Sequence, residues 1–561
     1  MQTENSMKAI YIALATIIGL LILFPILYLV FGSFWSASPI AKEGHLTLEN
    51  WTRAFTMDIP ATLPVLFFNS LVFALSTAVL SVILGIIMAY LVARTNMPFA
   101  RTFENLSIIP RAFPIIIAAL AWIMLLSPRI GVLNLVSREY FGFTLFNLYS
   151  FPGMIFLMVL YESPIVFLMA VNAFRLMDPS LEEQSIVCGN SLFGTLIRVT
   201  LPTLRPLIFS AFILIFIVGI ITLEIPIIIG ARSDIFVFTT AIYEIINSEY
   251  ESLTLYNAAA ALGMFIIPIS LITLFFYRHS VKNIEKFVTV TGKARPQSLY
   301  NLGKLRYLAF TSFAFYFILV VILPALVILL LSFSEFFQSP NVNSLTNLTL
   351  KHWRSAFDDI VFWRAIKNTL ILSSVGATLC VIIALSLGYI LIRSGVKLKG
   401  PLEACAMMPL AFPGTILAIG FVWAYTKTPM YGTIWIILLY FIGNYLPFAL
   451  RTLSPFLFQF HQEFEEASWM SGAGTVKTVI RIVVPLLKGG IFSVWVLLFQ
   501  IYFKEFAGAI ILFTYGTELL STLLFLRAFE EGLLGIGAVL GVIMLVASLG
   551  LHVAVGKKSS I

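Results

Sequence analysis

The sequence predicts an all-α membrane protein with twelve transmembrane helices arranged as two parallel six-helix repeats. Three observations carry this. Of its 561 residues, 60% are hydrophobic and only 11% charged, whereas soluble domains are about a quarter charged. Mean hydropathy is +0.99 along the whole length, so lipid is the solvent for most of the chain. Finally, residues 69–94 (NSLVFALSTAVLSVILGIIMAYLVAR) recur as residues 368–393 (NTLILSSVGATLCVIIALSLGYILIR).

A bilayer core takes about 20 apolar residues per helix. Segments of that kind lie at 10–32, 65–93, 104–126, 149–172, 203–230 and 256–277, and again at 307–333, 367–392, 402–426, 431–450, 486–513 and 532–556. The first follows a short polar start holding Lys8 and is longer than a signal-peptide core, so it reads as a retained anchor. After it, NWTRAF (50–55) is echoed by KHWRSAF (351–357) in the second half. Asn69 and Asn368, Tyr90 and Tyr389, and Arg94 and Arg393 are each 299 residues apart, as are PRAFP (110–114) and PLAFP (409–413). The prolines at 110, 114, 409 and 413 should kink or break the third helices. Beyond them the spacing becomes 283, as between Pro164 and Pro447, so the first half carries 16 extra residues, placed in the outer loop 127–147.

Six spans per half is an even number, so both halves enter the membrane in the same sense. That predicts a pseudo-two-fold axis along the membrane normal, with any pathway at the interface between halves. The expected domains are 1–280 and 306–561, joined by a basic cytoplasmic linker, 281–305. The stretch 278–306 holds Arg278, Lys282, Lys286, Lys293, Arg295, Lys304 and Arg306. Beside membrane helices, such a run is an orientation signal facing anionic lipid rather than a nucleic-acid site. The Lys/Arg excess then puts both termini in the cytoplasm.

Enzymatic chemistry finds little support. The three cysteines (Cys188, Cys380, Cys405) are scattered, which implies neither a disulfide framework nor a metal cluster. The five histidines (45, 279, 352, 461, 552) are far apart and no H-E-x-x-H occurs. GAGTVKT (472–478) has the look of a phosphate-binding loop, but Val476 stands where a Walker A loop needs glycine before its lysine. No catalytic residue, metal or cofactor is expected.

That segment belongs instead to a repeated element. EEQSIVCGNSLFGTLIRVTLP (182–202) matches the region 465–485: Glu183 meets Glu466, Gly189 meets Gly472 and Pro202 meets Pro485, all 283 apart, while Lys477 meets Gly194. Each copy lies between the fourth and fifth spans, on the cytoplasmic side. A short acidic helix, a glycine turn and a second helix ending at proline should form a compact bent protrusion. One copy would be an ordinary amphipathic connector; two copies in register point to a docking surface.

The pattern E-A-A-x3-G-x9-I-x-L-P resembles the coupling motif of binding-protein-dependent ABC importer permeases. The second copy reads Glu466, Ala467, Ser468, Gly472, Ile482 and Val484-Pro485; the first reads Glu183, Gln184, Ser185, Gly189, Val199 and Leu201-Pro202. In the first copy Gln184 replaces an alanine and Val199 an isoleucine. With its duplication, the chain resembles the fused two-permease subgroup typified by ferric-iron importers. The resemblance implies a type I permease fold in a bacterial inner membrane. It also implies two copies of a cytoplasmic ABC ATPase docked on the two loops, and an extracytoplasmic binding protein that delivers cargo. Ferric iron is the first cargo implied; thiamine, phosphonate and polyamine importers are similar chains. A secondary transporter driven by an ion gradient also uses repeated halves, and a non-transporting scaffold or receptor is a third reading.

Ionisable residues at depth are functional candidates by default. Glu162 lies mid-span in YESP, Glu224 in TLEIPIIIG, and Glu505 in FKEFAGAIIL; the last two occupy similar places, two positions out of register. They line a pathway or pair within the packing, and hard ferric ion is compatible with oxygen ligands. Lys504 and Glu505 are adjacent and should point apart. Arg111 is expected to snorkel inward along its helix.

Overall fold

The computed structural model describes residues 2–39, 41, 43–56, 60–107, 109–247, 255–284, 299–335, 348–393, 396, 399–459 and 461–559, and among these it is helical with three isolated β-bridges. Most of the expected linker, including Lys286, Lys293 and Arg295, lies outside the described residues.

Among the described residues, eight helices are individually long and apolar enough to cross a membrane: Ala9–Ser33, Leu63–Arg94, Phe151–Leu176, Tyr256–Phe276, Leu305–Phe333, Ile360–Arg393, Ile434–Gln459 and Leu534–Leu551. Four further spans are sharply bent pairs at matched places. Ala100–Ala112 meets Ile115–Leu126 at 94°, and Lys399–Ala411 meets Gly414–Tyr425 at 114°. Leu192–Thr203 meets Arg205–Ile221 at 73°, and Thr475–Leu486 meets Lys488–Lys504 at 80°. Counted this way the described residues of each half form six spans, twelve in all.

Proline chemistry explains the bends. Pro114 and Pro413 are themselves extended (ψ 127° and 141°), and Phe412 before Pro413 leaves the helical region as well. A residue preceding proline is pushed out of the helical region by the ring, so the chain breaks here rather than kinks. Four other prolines each follow a π-helical turn: Gly19–Leu23 before Pro25, Leu196–Thr200 before Pro202, Ile318–Ile322 before Pro324, and Val479–Val483 before Pro485. The missing N–H removes one rung of the ladder, and the preceding residue donates five residues back, as Leu201 does to Leu196 and Val484 to Val479.

Two stretches read as continuous spans are shorter than their apolar runs. The helix within 203–230 ends at Ile221 and the one within 486–513 at Lys504. Each is followed by a folded-back segment: Pro226–Ser233 with Phe238–Asn247, bent by 80°, and the shorter Ala507–Ile511 with Leu520–Phe525. The matched asparagines tether these hairpins. Asn69 Nδ2 donates to the Phe236 carbonyl at 2.9 Å, and Asn368 Nδ2 to those of Gly516 at 3.2 Å and Glu518 at 3.0 Å. Beside them Phe238 N donates to Ser70 Oγ, and Leu520 N to Thr369 Oγ1. The extra outer residues of the first half form the helix Val132–Phe141, held down by Asn134 Nδ2 on the carbonyls of Leu126, Ser127 and Phe146.

The halves exchange their first spans. Phe24–Ser33 packs on Gly414–Tyr425 of the second half, while Leu323–Phe333 packs on Ile115–Leu126 of the first. Tyr425 donates to the Leu20 carbonyl at 2.8 Å, and Tyr161 to that of Val320 at 3.0 Å. At this crossing a Cβ on Gly420 would stand 2.6 Å from the Pro25 carbonyl oxygen; only glycine lets the two backbones approach so closely. One hydrophobic core therefore runs through both halves.

Candidate functional site

The two repeated elements fold alike. Ser180–Val187 and Glu463–Met470 are short helices that end in the same cap. Gly189 (φ 88°) donates to Ile186 and Asn190 to Ser185; Gly472 (φ 80°) donates to Trp469 and Ala473 to Ser468. This paired pattern is a Schellman cap, which requires a left-handed residue after the helix and so favours glycine. The chain then re-enters a helix, through Ser191 in the first copy and Gly474 in the second. The phosphate-loop look of GAGTVKT is thus the end of one helix and the start of the next. Ser185 bonds to Thr195 and Ser468 to Thr478, both at 2.9 Å, closing each elbow across its turn. Pro202 and Pro485 lie one turn before the 73° and 80° bends into the fifth spans.

Each elbow is anchored to the second span of its half. Arg94 Nε stands 3.3 Å from Glu182 Oε2, and Arg393 Nε 3.2 Å from Glu465 Oε1, both carboxylates being buried. The same arginines donate to the carbonyls of Met177 and Leu457. The phenol beside each pair differs: Tyr389 donates to Glu465 at 3.0 Å, while Tyr300, just before the span Leu305–Phe333, donates to Glu182 at 3.3 Å. Backbone pairing of Tyr300 with Arg94 and Asn96 fixes that segment against the first half. Burial, reinforced by the Glu182 charge, pushes the Tyr300 phenol well above its ordinary range.

The acidic residues aligned from sequence, Glu183 and Glu466, are therefore the outward members of two Glu-Glu pairs, and their neighbours Glu182 and Glu465 are the buried ones. Glu183, Gln184, Glu466 and Ala467 are exposed. Around them lie matched apolar side chains open to solvent: Leu181 with Phe464, Val187 with Met470, Phe193 with Val476, and Ile197 with Ile480. Val187 is 87% exposed and Met470 89%. Matched apolar side chains standing open around a polar centre mark an interaction surface.

A second cluster sits where the halves meet. Glu162, buried midway along Phe151–Leu176, faces Arg111, whose Nη1 is 3.4 Å from both carboxylate oxygens. Lys504 of the other half donates to the Arg111 carbonyl at 2.7 Å. Glu505, also buried, accepts from Gly508 N, Ala509 N and Tyr440 Oη, so it caps the helix Ala507–Ile511. Glu224 accepts from Thr222 Oγ1 and Leu223 N. The three glutamates thus take different hydrogen-bond partners within one cluster. Among the described residues no group of three His, Cys, Asp or Glu side chains is close enough to hold a metal ion.

Twelve spans in two interlocked halves, with paired elbows and ionisable groups at the interface, define a membrane transport permease rather than a hydrolase. Sequence comparison agrees: residues 81–286 and 380–556 match the family described as binding-protein-dependent transport system inner membrane component, and the chain belongs to that family. Among its relatives are the ferric transport system permease protein FbpB of Actinobacillus pleuropneumoniae, 27% identical over 86% of this chain and 69% of that one, and the Fe(3+)-transport system permease protein FbpB 2 of Haemophilus influenzae, 25% identical over 84% and 85%. The diacetylchitobiose uptake system permease protein NgcG of Streptomyces coelicolor is 22% identical over 51% of this chain and 89% of its own length.

Proposed function

We propose that this chain is the membrane-spanning permease subunit of an ATP-driven importer, with residues 1–280 and 306–561 acting as its two permease domains and both termini in the cytoplasm. Each elbow docks one copy of a cytoplasmic ATPase through its exposed apolar side chains, with Glu183, Gln184, Glu466 and Ala467 at the centre. Ser185, Ser468, Gly189, Gly472, Pro202 and Pro485 hold the elbows in shape. An external binding protein delivers the cargo. The observation that carries this reading is the matched pair of elbows, each rooted by a buried arginine–glutamate contact in a long span. A push on either elbow is therefore delivered to a rigid helix rather than to a loop.

The cargo we assign is ferric iron, supported by relatives named as ferric transport permeases that align along most of the chain. The test is reconstitution of the chain with its ATPase and binding protein in vesicles, followed by uptake of radiolabelled iron. ATP-dependent accumulation that requires the binding protein is expected. Uptake that survives removal of the ATPase and collapses with the ion gradient would favour a secondary transporter instead.

A further inference from the structure

The interface cluster has an imbalance in its hydrogen bonding. Two of its carboxylates are engaged through both oxygens, Glu505 by two backbone N–H groups and a tyrosine and Glu162 by Arg111, while Glu224 accepts from its own segment through Oε2. The cations of the cluster are less fully engaged. A guanidinium carries five N–H donors and an ammonium three. Among the described residues, Arg111 commits only Nη1 to a side chain, and that side chain is 42% exposed although its partner Glu162 is 1% exposed. Lys504 spends one donor on the Arg111 carbonyl and is itself partly exposed. The two cations come from opposite halves and meet at the level of Glu162, midway along its span. Beside the one unbonded oxygen of Glu224, most of the capacity left over at the junction is donor capacity on positive charge.

Resting on the importer reading above, we infer that Arg111 and Lys504 form a cationic constriction in the pathway, and that the cargo crosses it as an oxygen-rich anionic species. For iron, this means that the ferric ion passes with oxyanion ligands still attached rather than as a bare cation. Arginine and lysine recognise carboxylate and phosphate oxygens by charge-assisted bonds, and pores that select anions are lined by these residues. A bare trivalent cation would meet two positive side chains, with the buried carboxylates of Glu162 and Glu505 behind them already bonded. Separation of the halves breaks the Lys504–Arg111 contact and frees a further ammonium donor at the moment the pathway opens.

The experiment uses the reconstituted complex, with ATPase and ATP inside the vesicles and binding protein outside. Radioiron is supplied as its phosphate or citrate complex, the oxyanion carrying a second label. Both labels should accumulate together. Lys504→Gln should lower both by about tenfold, the scale of one charge-assisted bond, and Lys504→Arg should restore them, which separates charge from packing. Iron entering without the oxyanion label, or unchanged uptake in Lys504→Gln, would overturn the inference. Oxyanion entering without iron would leave it standing and remove the iron assignment; entry of neither label overturns both.

Discussion

Arg94 and Glu182 form a contact that recurs at Arg393 and Glu465, the arginines 299 apart and the glutamates 283 apart. Arg94 is 0% and Glu182 2% exposed, so the pair is sealed from water. Removing one partner of such a pair leaves a buried charge and costs about 3–5 kcal/mol, whereas replacing both by apolar residues of similar volume costs far less. Arg393→Met or Glu465→Leu alone should lower the thermal unfolding midpoint in detergent markedly, and the double variant should recover most of the loss. Equal melting of all three would show that the contact carries no weight.

The elbow glycines make a second prediction. No atom lies within 4 Å of a Cβ built on Gly189 or Gly472, so substitution meets no clash and its whole cost is conformational. Alanine in the left-handed region costs about 1–2 kcal/mol, and asparagine tolerates it better. Gly472→Ala should weaken the coupling of ATP hydrolysis to uptake, with Gly472→Asn intermediate, while expression and span content stay unchanged. Wild-type coupling in both variants would count against a mechanical role for the turn.

The hairpin tethers give a third. Asn368 supplies donors to two carbonyls at the entry to Leu520–Phe525. Asn368→Leu keeps the γ-branched shape and strands those carbonyls, a loss of about 1–3 kcal/mol. The hairpin should then exchange its amide hydrogens faster than the flanking spans, measured by mass spectrometry. Exchange confined to other regions would mean that the tether is redundant.

The exposed apolar pairs give a fourth. A glutamate in place of Val187 or Met470 alters no internal packing, since both are almost fully exposed. A charge buried at an apolar interface without a partner is expensive, so Val187→Glu with Met470→Glu should abolish co-purification of the ATPase while leaving the purified permease monodisperse. Undiminished co-purification would place the docking surface elsewhere.

Much of this architecture is written in the sequence, for physical reasons that can be named. The duplication shows because Asn69, Arg94, Gly189 and Pro202 each have a backbone or polar task that few residue types can perform, and each task is needed twice. The apolar runs locate the spans because lipid imposes a length. Hydropathy is silent about where a helix ends inside the apolar layer, so the runs 203–230 and 486–513 concealed breaks at Thr222 and Glu505 and the hairpins beyond them. The exchange of first spans was also hidden, since a lipid-facing and a partner-facing leucine look alike. Adjacent carboxylates hid the division of labour between Glu182 and Glu183. The usable signal was Arg94 and Arg393, matched in both halves and needing a buried anion nearby.

Transport by this chain, as proposed, requires both elbows to touch the ATPase. This requirement is tested most directly by cross-linking in the assembled complex, using exposed Cys188 on the first elbow and a cysteine placed by Met470→Cys on the second, with Cys380 and Cys405 changed to alanine. Short thiol-reactive linkers should join each elbow to its own ATPase copy, and ATP should alter the yield at both. A transport-competent complex in which neither cysteine reaches the ATPase would contradict the account.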